Sequence, residues 1–340
     1  WFKETLVPSA SANAERLFIS DGGGKVLLRY TATRVVSLIP ILIIVSIIVF
    51  LIIHLTPGNP ATLILGQDAS QESIHQLENK LGLNEPLFIQ YFDWMKKLLT
   101  GDLGQSVYSS ESVKGIIASH IGPTVSLTVF ALILTLIVAI PTAIVAVWKR
   151  NTLLDPIFIS ISLLGVSIPA FWLAILLVLV FAVTFPIFPV AGYVPLSRNF
   201  FNGLYHLFLP AVILACVETG LIARMLRDGM LEAINQNYTK TARAKGLSER
   251  AVLLKHVFIN ALIPTTTVVG TMIAGLLGGT VIVETIFTIP GIGQLLIDSI
   301  YRRDYPVIQG VILFIAVIYV FVNLVVDLIY TLLDPRIRYN

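Results

Sequence analysis

Long apolar runs separated by short polar stretches set the pattern of this chain. Val35 to Leu55 holds no Asp, Glu, Lys or Arg, and at about 1.5 Å per residue a helix of that length covers the roughly 30 Å hydrocarbon core of a bilayer. Charge-free or nearly charge-free runs recur at Ile121 to Val147, Pro156 to Phe185, Leu207 to Ala223, Ala261 to Val283 and Pro306 to Thr331. The pattern predicts an all-α integral membrane protein with six transmembrane helices. Between the first two runs, residues 56–120 form a long polar loop with shorter helices predicted at Glu72 to Lys80 and Leu87 to Leu99.

The polar stretch before the fifth run is patterned differently. Leu231 to Lys245 reads as a helix ended by Gly246, which supplies the left-handed conformation a helix terminus often needs. Ser248 is placed to cap the next helix and Glu249 falls in its first turn, so Glu249 to Asn260 reads as a second helix running into Ala261 to Pro264.

Composition agrees with the bilayer reading. The chain is 56% hydrophobic and 13% charged, with a mean hydropathy of +0.86, more apolar surface than a water-soluble globule of this size hides. Orientation follows from Lys and Arg, which stay on the cytoplasmic side of short loops. Placing both termini inside collects Arg29, Arg34, Lys149, Arg150, the cluster from Arg224 to Lys255, Arg336 and Arg338, and so most of the 23 basic residues, on that side. The first apolar run exceeds the 7 to 15 residues of a signal-peptide core, and no small-residue cleavage site follows closely, so it is expected to stay in the chain. The expected organisation is a flexible or appended tail over 1–28 and a first helix with its extracytoplasmic loop over 29–120. A transmembrane core over 121–335 with a cytoplasmic loop at 226–260, and a cytoplasmic tail over 336–340, complete it.

Candidate chemistry is sparse. The five histidines are scattered without metal-ligand spacing, so no catalytic residue and no metal site are expected. The phosphate cradle G-x-x-x-x-G-K-[ST] is missing, and Gly22-Gly23-Gly24-Lys25 has neither its spacing nor its hydroxyl. Cys216, the single cysteine, has no intrachain partner for a disulfide. Three acids fall within the apolar runs or at their ends, where acids are costly and suspect by default. Glu218 has three readings: facing a pore, facing a partner helix, or reaching toward basic groups at the interface. Glu284 ends the fifth run, and Asp327 lies near the inner end of the sixth, where snorkelling or pairing with a basic residue accounts for it. Thr266, Gly270, Ala274 and Gly278 repeat every four residues and predict a face against which another helix packs closely.

Two motifs carry a family resemblance. The stretch N-Y-T-K-T-A-R-A-K-G-L at 237–247, followed by N-A-L-I-P at 260–264, is similar to the coupling loop of ABC importer permeases. Lys240, Thr241 and Ala242 stand where that loop has E-A-A, and Gly246 matches its glycine. The later I-x-L-P portion, which would fall on His256 to Ile259, is absent. The stretch V-E-T-I-F-T-I-P-G-I-G at 283–293, continuing through Arg303, Asp304, Tyr305 and Pro306 to Gly310, resembles the dipeptide/oligopeptide branch. So do Leu81 to Pro86, Gln90 to Phe92 and Gly101 to Gly104.

The resemblance covers nearly the whole chain from about Leu28 and implies the type I ABC importer permease fold. It implies that Lys240, Thr241, Ala242, Arg243, Ala244, Lys245, Gly246 and Leu247 couple to an ATPase, and that Glu284 helps shape the exit from a binding protein. Glu218 and Glu284 are the translocation-pathway candidates. The implied partners are a homologous second permease, two cytoplasmic ATPases that bind ATP and Mg2+, an extracytoplasmic solute-binding protein and membrane lipid, with no nucleic acid. The implied location is a prokaryotic cytoplasmic membrane. Peptides are the first expected substrate, with glutathione or nickel and metallophore complexes as alternatives. An ion-coupled secondary transporter using Glu218, Glu284 and Asp327 is the reading from another class.

Overall fold

A computed structural model describes residues 21–55, 61–62, 70–82, 84–150, 152–153, 157, 160 and 167–333. The predicted tail at 336–340, and residues 1–20 of the predicted tail at 1–28, lie outside them. Helix α1 (Asp21–Leu55) begins just before Gly22 to Gly24 and runs on through Pro40. Two short helices follow, α2 (Gln71–Leu81) and α3 (Leu87–Leu99), within a residue of their predicted bounds. The Ser70 hydroxyl accepts from Ser73 N–H at 3.2 Å to start α2.

Helix α4 (Val113–Trp148) is capped by Ser112 and spans the second apolar run. Helix α5 (Ala170–Val178) continues as a π turn (Leu179–Thr184). Helix α6 (Phe200–Ile234) is capped by Asn199. The chain then forms α7 (Asn237–Ala244), α8 (Glu249–Ala251), a second π turn (Val252–Val257) and α9 (Phe258–Gly279). Helices α10 (Val281–Ile286), α11 (Ile292–Arg302) and α12 (Tyr305–Leu333) complete it.

Two sequence expectations change, and the span expected at Pro156 to Phe185 falls partly outside the described residues. Among the described residues five helices are long and apolar enough to cross a membrane: Val36–Leu55, Val113–Trp148, Phe200–Ile234, Glu249–Leu276 and Tyr305–Ile329. The third predicted run holds the shorter apolar stretch Ala170–Thr184, which begins after Pro169; most of 156–166 lies outside the described residues. The predicted Leu231 to Lys245 helix is broken at Asn235 and Gln236. There Asn235 Nδ2 donates to the Leu231 carbonyl and Thr239 Oγ1 to that of Ala233, so side chains take over carbonyls at the end of the helix. Beyond Gly246 the predicted short helix instead passes through the π turn and Pro264 and merges with the fifth span.

Helix α6 lies against both α4 and α9, and α12 packs on α9 and α1. In lipid, close packing rather than water exclusion holds helices together, and small residues permit it. Ala131, Ala139, Ala211 and Ala223 accordingly sit fully buried beside Leu127, Leu207, Ile213 and Ile222. A Cβ at Gly270 would lie 2.0 Å from Val326 Cγ2, so the predicted small-residue face receives α12. Ala274 on that face is buried, and Thr266 Oγ1 donates to the Leu262 carbonyl. Gly278 lies in α9, its surroundings outside the described residues. Helix α12 is tied to α1 by Gln309 Nε2 donating to the Val49 carbonyl at 3.1 Å and by an Arg34–Asp327 ion pair at 3.4 Å. Asp327 is therefore paired with a basic residue, as one sequence reading held.

Candidate functional site

The segment between α6 and α9 is a small folded unit. Helix α7 is anchored by the side of it that faces the bundle: Thr239 is buried, and Ala242 packs with Leu226, Met230, Val252, Leu253 and Val257. Gly246 takes φ +80, where a side chain would be strained. The turn closes with Gly246 N–H donating to the Arg243 carbonyl and Leu247 N–H to that of Ala242, a Schellman-like ending. The Ser248 hydroxyl caps α8 by accepting from Ala251 N–H, as the sequence predicts. Arg243 clasps Glu249 across the turn with two hydrogen bonds, at 2.7 and 3.2 Å.

The eight residues of the coupling motif therefore divide. Ala242 points inward and Arg243 is spent on Glu249, while Lys240, Thr241, Ala244, Lys245, Gly246 and Leu247 are exposed. A firm inner face and a free outer face are what a docking element needs. The π turn that follows interrupts the regular bonding of the helix, a feature that often marks a functional site. A cavity of about 200 Å³ opens between α4, α6 and α9, lined by Ile140, Leu226, Leu262 and Thr266 among others.

Glu284 is fully buried. Its carboxylate accepts from Thr124 Oγ1 at 2.7 Å, from Gly293 N–H at 2.8 Å and from Gln294 N–H at 3.0 Å. Thr124 Oγ1 in turn accepts from Ile292 N–H at 2.8 Å. The first backbone donors of α11, which have no partner inside the helix, thus end on one carboxylate and one hydroxyl, with the negative charge at the positive end of the helix dipole. A Cβ at Gly291 would lie 2.4 Å from this carboxylate, so P-G-I-G is the shape required to wrap it. Nearby, Asp304 accepts from Ser106 Oγ at 2.5 Å and from Val107 N–H at 3.2 Å, tying the loop between α3 and α4 to the start of α12.

Glu218 is the opposite case. It sits at the middle of α6, is half-buried, and makes no hydrogen bond or ion pair among the described residues. Its neighbours on the open side of α6 are Leu221, Arg224, Met225 and Asp228. The open side of α9 carries Asn260, Pro264, Thr267, Thr271 and Gly275. By contrast the open side of α4 from Val125 onward carries Val125, Val129, Ile133, Ile137, Val138, Pro141 and Val145, a surface suited to lipid. The two translocation candidates are thus separated: Glu284 is internal to the fold and Glu218 lies on an open polar face.

The sequence reading missed Thr124, Thr239, Ser106 and Asp304 as polar anchors. Only the glycines flanking Ile292 hinted that something approaches the backbone there.

Two family models match this chain. The model described as binding-protein-dependent transport system inner membrane component covers residues 139–339, and its N-terminal companion covers 27–128. The chain belongs to this family. It is an inner-membrane, multi-pass transport permease.

Among curated proteins, this permease is 45% identical to a putative peptide transport system permease protein of Brucella abortus over 90% of this chain and 98% of that one. It is 43% identical to a dipeptide transport system permease protein of Alkalihalophilus pseudofirmus over 92% of this chain and all of that one. A glutathione transport system permease protein of Escherichia coli is 39% identical over 92% of this chain and all of its own length.

Proposed function

We propose that this chain is one half of the translocation pathway of an ATP-driven importer of di- or oligopeptides. In this reading it pairs with a homologous permease, and two cytoplasmic ATPases, which bind the ATP and Mg2+, dock on α7. An extracytoplasmic solute-binding protein delivers the substrate. Both termini face the cytoplasm, which puts the basic cluster from Arg224 to Lys255 on the ATPase side.

The observation that carries the proposal is the two-sidedness of α7, whose inner face is packed against the ends of α6 and α9 while Lys240, Thr241, Ala244, Lys245 and Leu247 are free. A push on that outer face is transmitted to two spans at once, and those spans carry the open polar faces around Glu218 and Thr271. Coupling then follows from contacts that differ between two arrangements of the helices. Within this reading Glu284 acts as a structural fastener and Glu218 stands on the pathway face. The chain itself performs no chemistry. Peptides are supported by the names of the two peptide-permease relatives, and glutathione, supported by the third, is the alternative substrate.

The test is purification of the chain from its native membrane in mild detergent, with identification of what accompanies it. A second permease and ATPase chains, with hydrolysis stimulated by a binding protein, are expected. A lone chain without hydrolysis would overturn the proposal in favour of ion-coupled transport.

A further inference from the structure

Helix α3 (Leu87–Leu99) leaves half of its apolar side unused. At about 100° per residue, Leu87, Tyr91, Trp94 and Leu98 share one face and Phe88, Phe92 and Leu99 continue it, while Asp93, Lys96 and Lys97 lie on the other side. Tyr91 and Trp94 of the first group pack on α1, while Leu87 at its start is 51% exposed. Phe50 stands 5.4 Å from the Tyr91 ring and 5.8 Å from that of Trp94, Ser46 Oγ and Tyr91 Oη share a hydrogen bond of 2.8 Å, and His54 Nε2 lies 3.0 Å from Gln90 Oε1. The second group is bare, with Phe88 65%, Phe92 67% and Leu99 80% exposed.

The depth of these contacts identifies what covers the bare half. The first span is Val36–Leu55, so Phe50 lies about 7 Å, and Ser46 about 13 Å, inside its C-terminal end at 1.5 Å per residue. A helix held against that level sits alongside the hydrocarbon layer, not above it. Its bare aromatic and aliphatic face then has acyl chains for neighbours, and Lys96 and Lys97, both exposed, have stems long enough to carry their charges to the headgroups.

We propose that α3 is an interfacial lipid-binding helix. It lies in the leaflet at the C-terminal end of the first span, the outer one in the orientation given above, with Phe88, Phe92 and Leu99 in the acyl boundary and Lys96 and Lys97 at lipid phosphates. This is the arrangement of a helix that lies on a membrane rather than crossing it. It anchors the outer loop beside α1 and holds the neighbouring segments at a fixed height.

The test uses the full transporter in nanodiscs of phosphatidylethanolamine and phosphatidylglycerol, with nitroxide labels placed singly at Phe88→Cys, Phe92→Cys, Leu99→Cys and Asp93→Cys in a Cys216→Ala background. Labels at 88, 92 and 99 are expected to collide more with oxygen than with a water-soluble nickel chelate, and the label at 93 to show the reverse. Chelate access at 92 equal to that at 93 would put the face in water and overturn the proposal. Low access to both reagents at 88, 92 and 99 would mean that another protein covers the face, and would overturn it equally. The three apolar positions read independently, so loss of one variant leaves two.

Discussion

Glu218 and Glu284 are the same side chain within one membrane protein, and the fold treats them in opposite ways. Glu284 has an acceptor role for three donors drawn from two distant parts of the chain and no contact with solvent. Glu218 has no donor at all among the described residues and stands on an open face beside Arg224 and Asp228. A buried carboxylate that is fully bonded fastens structure, and one held half-open without partners is available to something outside the chain. The difference shows that an acid in a membrane helix is informative only once its hydrogen bonds are known.

The largest effect expected from breaking this contrast is at Glu284. Glu284→Ala leaves two backbone N–H groups and the Thr124 hydroxyl without their acceptor, each such loss costing about 1–3 kcal/mol. Little folded protein should be recovered on size-exclusion chromatography, with Glu284→Gln and Thr124→Ala intermediate. Normal yield and melting temperature for Glu284→Ala would remove the fastener role. In α7, Ala242→Asp would bury a charge among Val252, Leu253 and Val257, so it should lower the amount of folded chain. Leu247→Asp, on the free face, should leave that amount unchanged while reducing uptake and ATPase co-purification by about tenfold, the loss of roughly 1.4 kcal/mol of docking. Equal behaviour of the two variants would collapse the inner and outer faces of α7 into one.

Glu218→Ala sharpens the comparison from the other side. Folded yield should stay close to that of the natural chain, while the rate of uptake or the apparent affinity for substrate shifts several-fold. A yield loss matching that of Glu284→Ala would show that Glu218 too is a structural group. The smallest effect belongs to Arg243→Ala. Exposed ion pairs contribute about 0.2–1 kcal/mol, so opening the clasp to Glu249 should change uptake by less than about fivefold and weaken further as salt rises.

Much of this was legible in the chain because lipid imposes lengths. A run such as Val35 to Leu55 has few ways to exist other than as a span, and Gly246 followed by Ser248 and Glu249 spells the turn that the structure adopts. The helix start at Ala170 was not legible in this way, since Pro169, at its N-cap position, does not interrupt the hydropathy of the run. The side-chain partners of Glu284 and Asp327 were invisible for a different reason. Thr124 and Arg34 lie far away in sequence and look like ordinary residues of their own helices, and only packing brings them together. The π turn at Val252–Val257 depends on how carbonyls pair, which residue type does not reveal. The face of α7 that packs was hidden as well, because motif matching marks eight consecutive residues while a helix exposes only some of them.

The central claim is that this permease moves peptide only when ATPases push on it. It is tested most directly by uptake of a labelled dipeptide into proteoliposomes that contain this chain and its proposed partners, a homologous permease, two ATPases and a binding protein. Accumulation that requires ATP, vanishes when the ATPases are omitted and falls with Leu247→Asp is the predicted result. Accumulation driven by an ion gradient, with the ATPases absent and Leu247→Asp as active as the natural chain, would contradict the account.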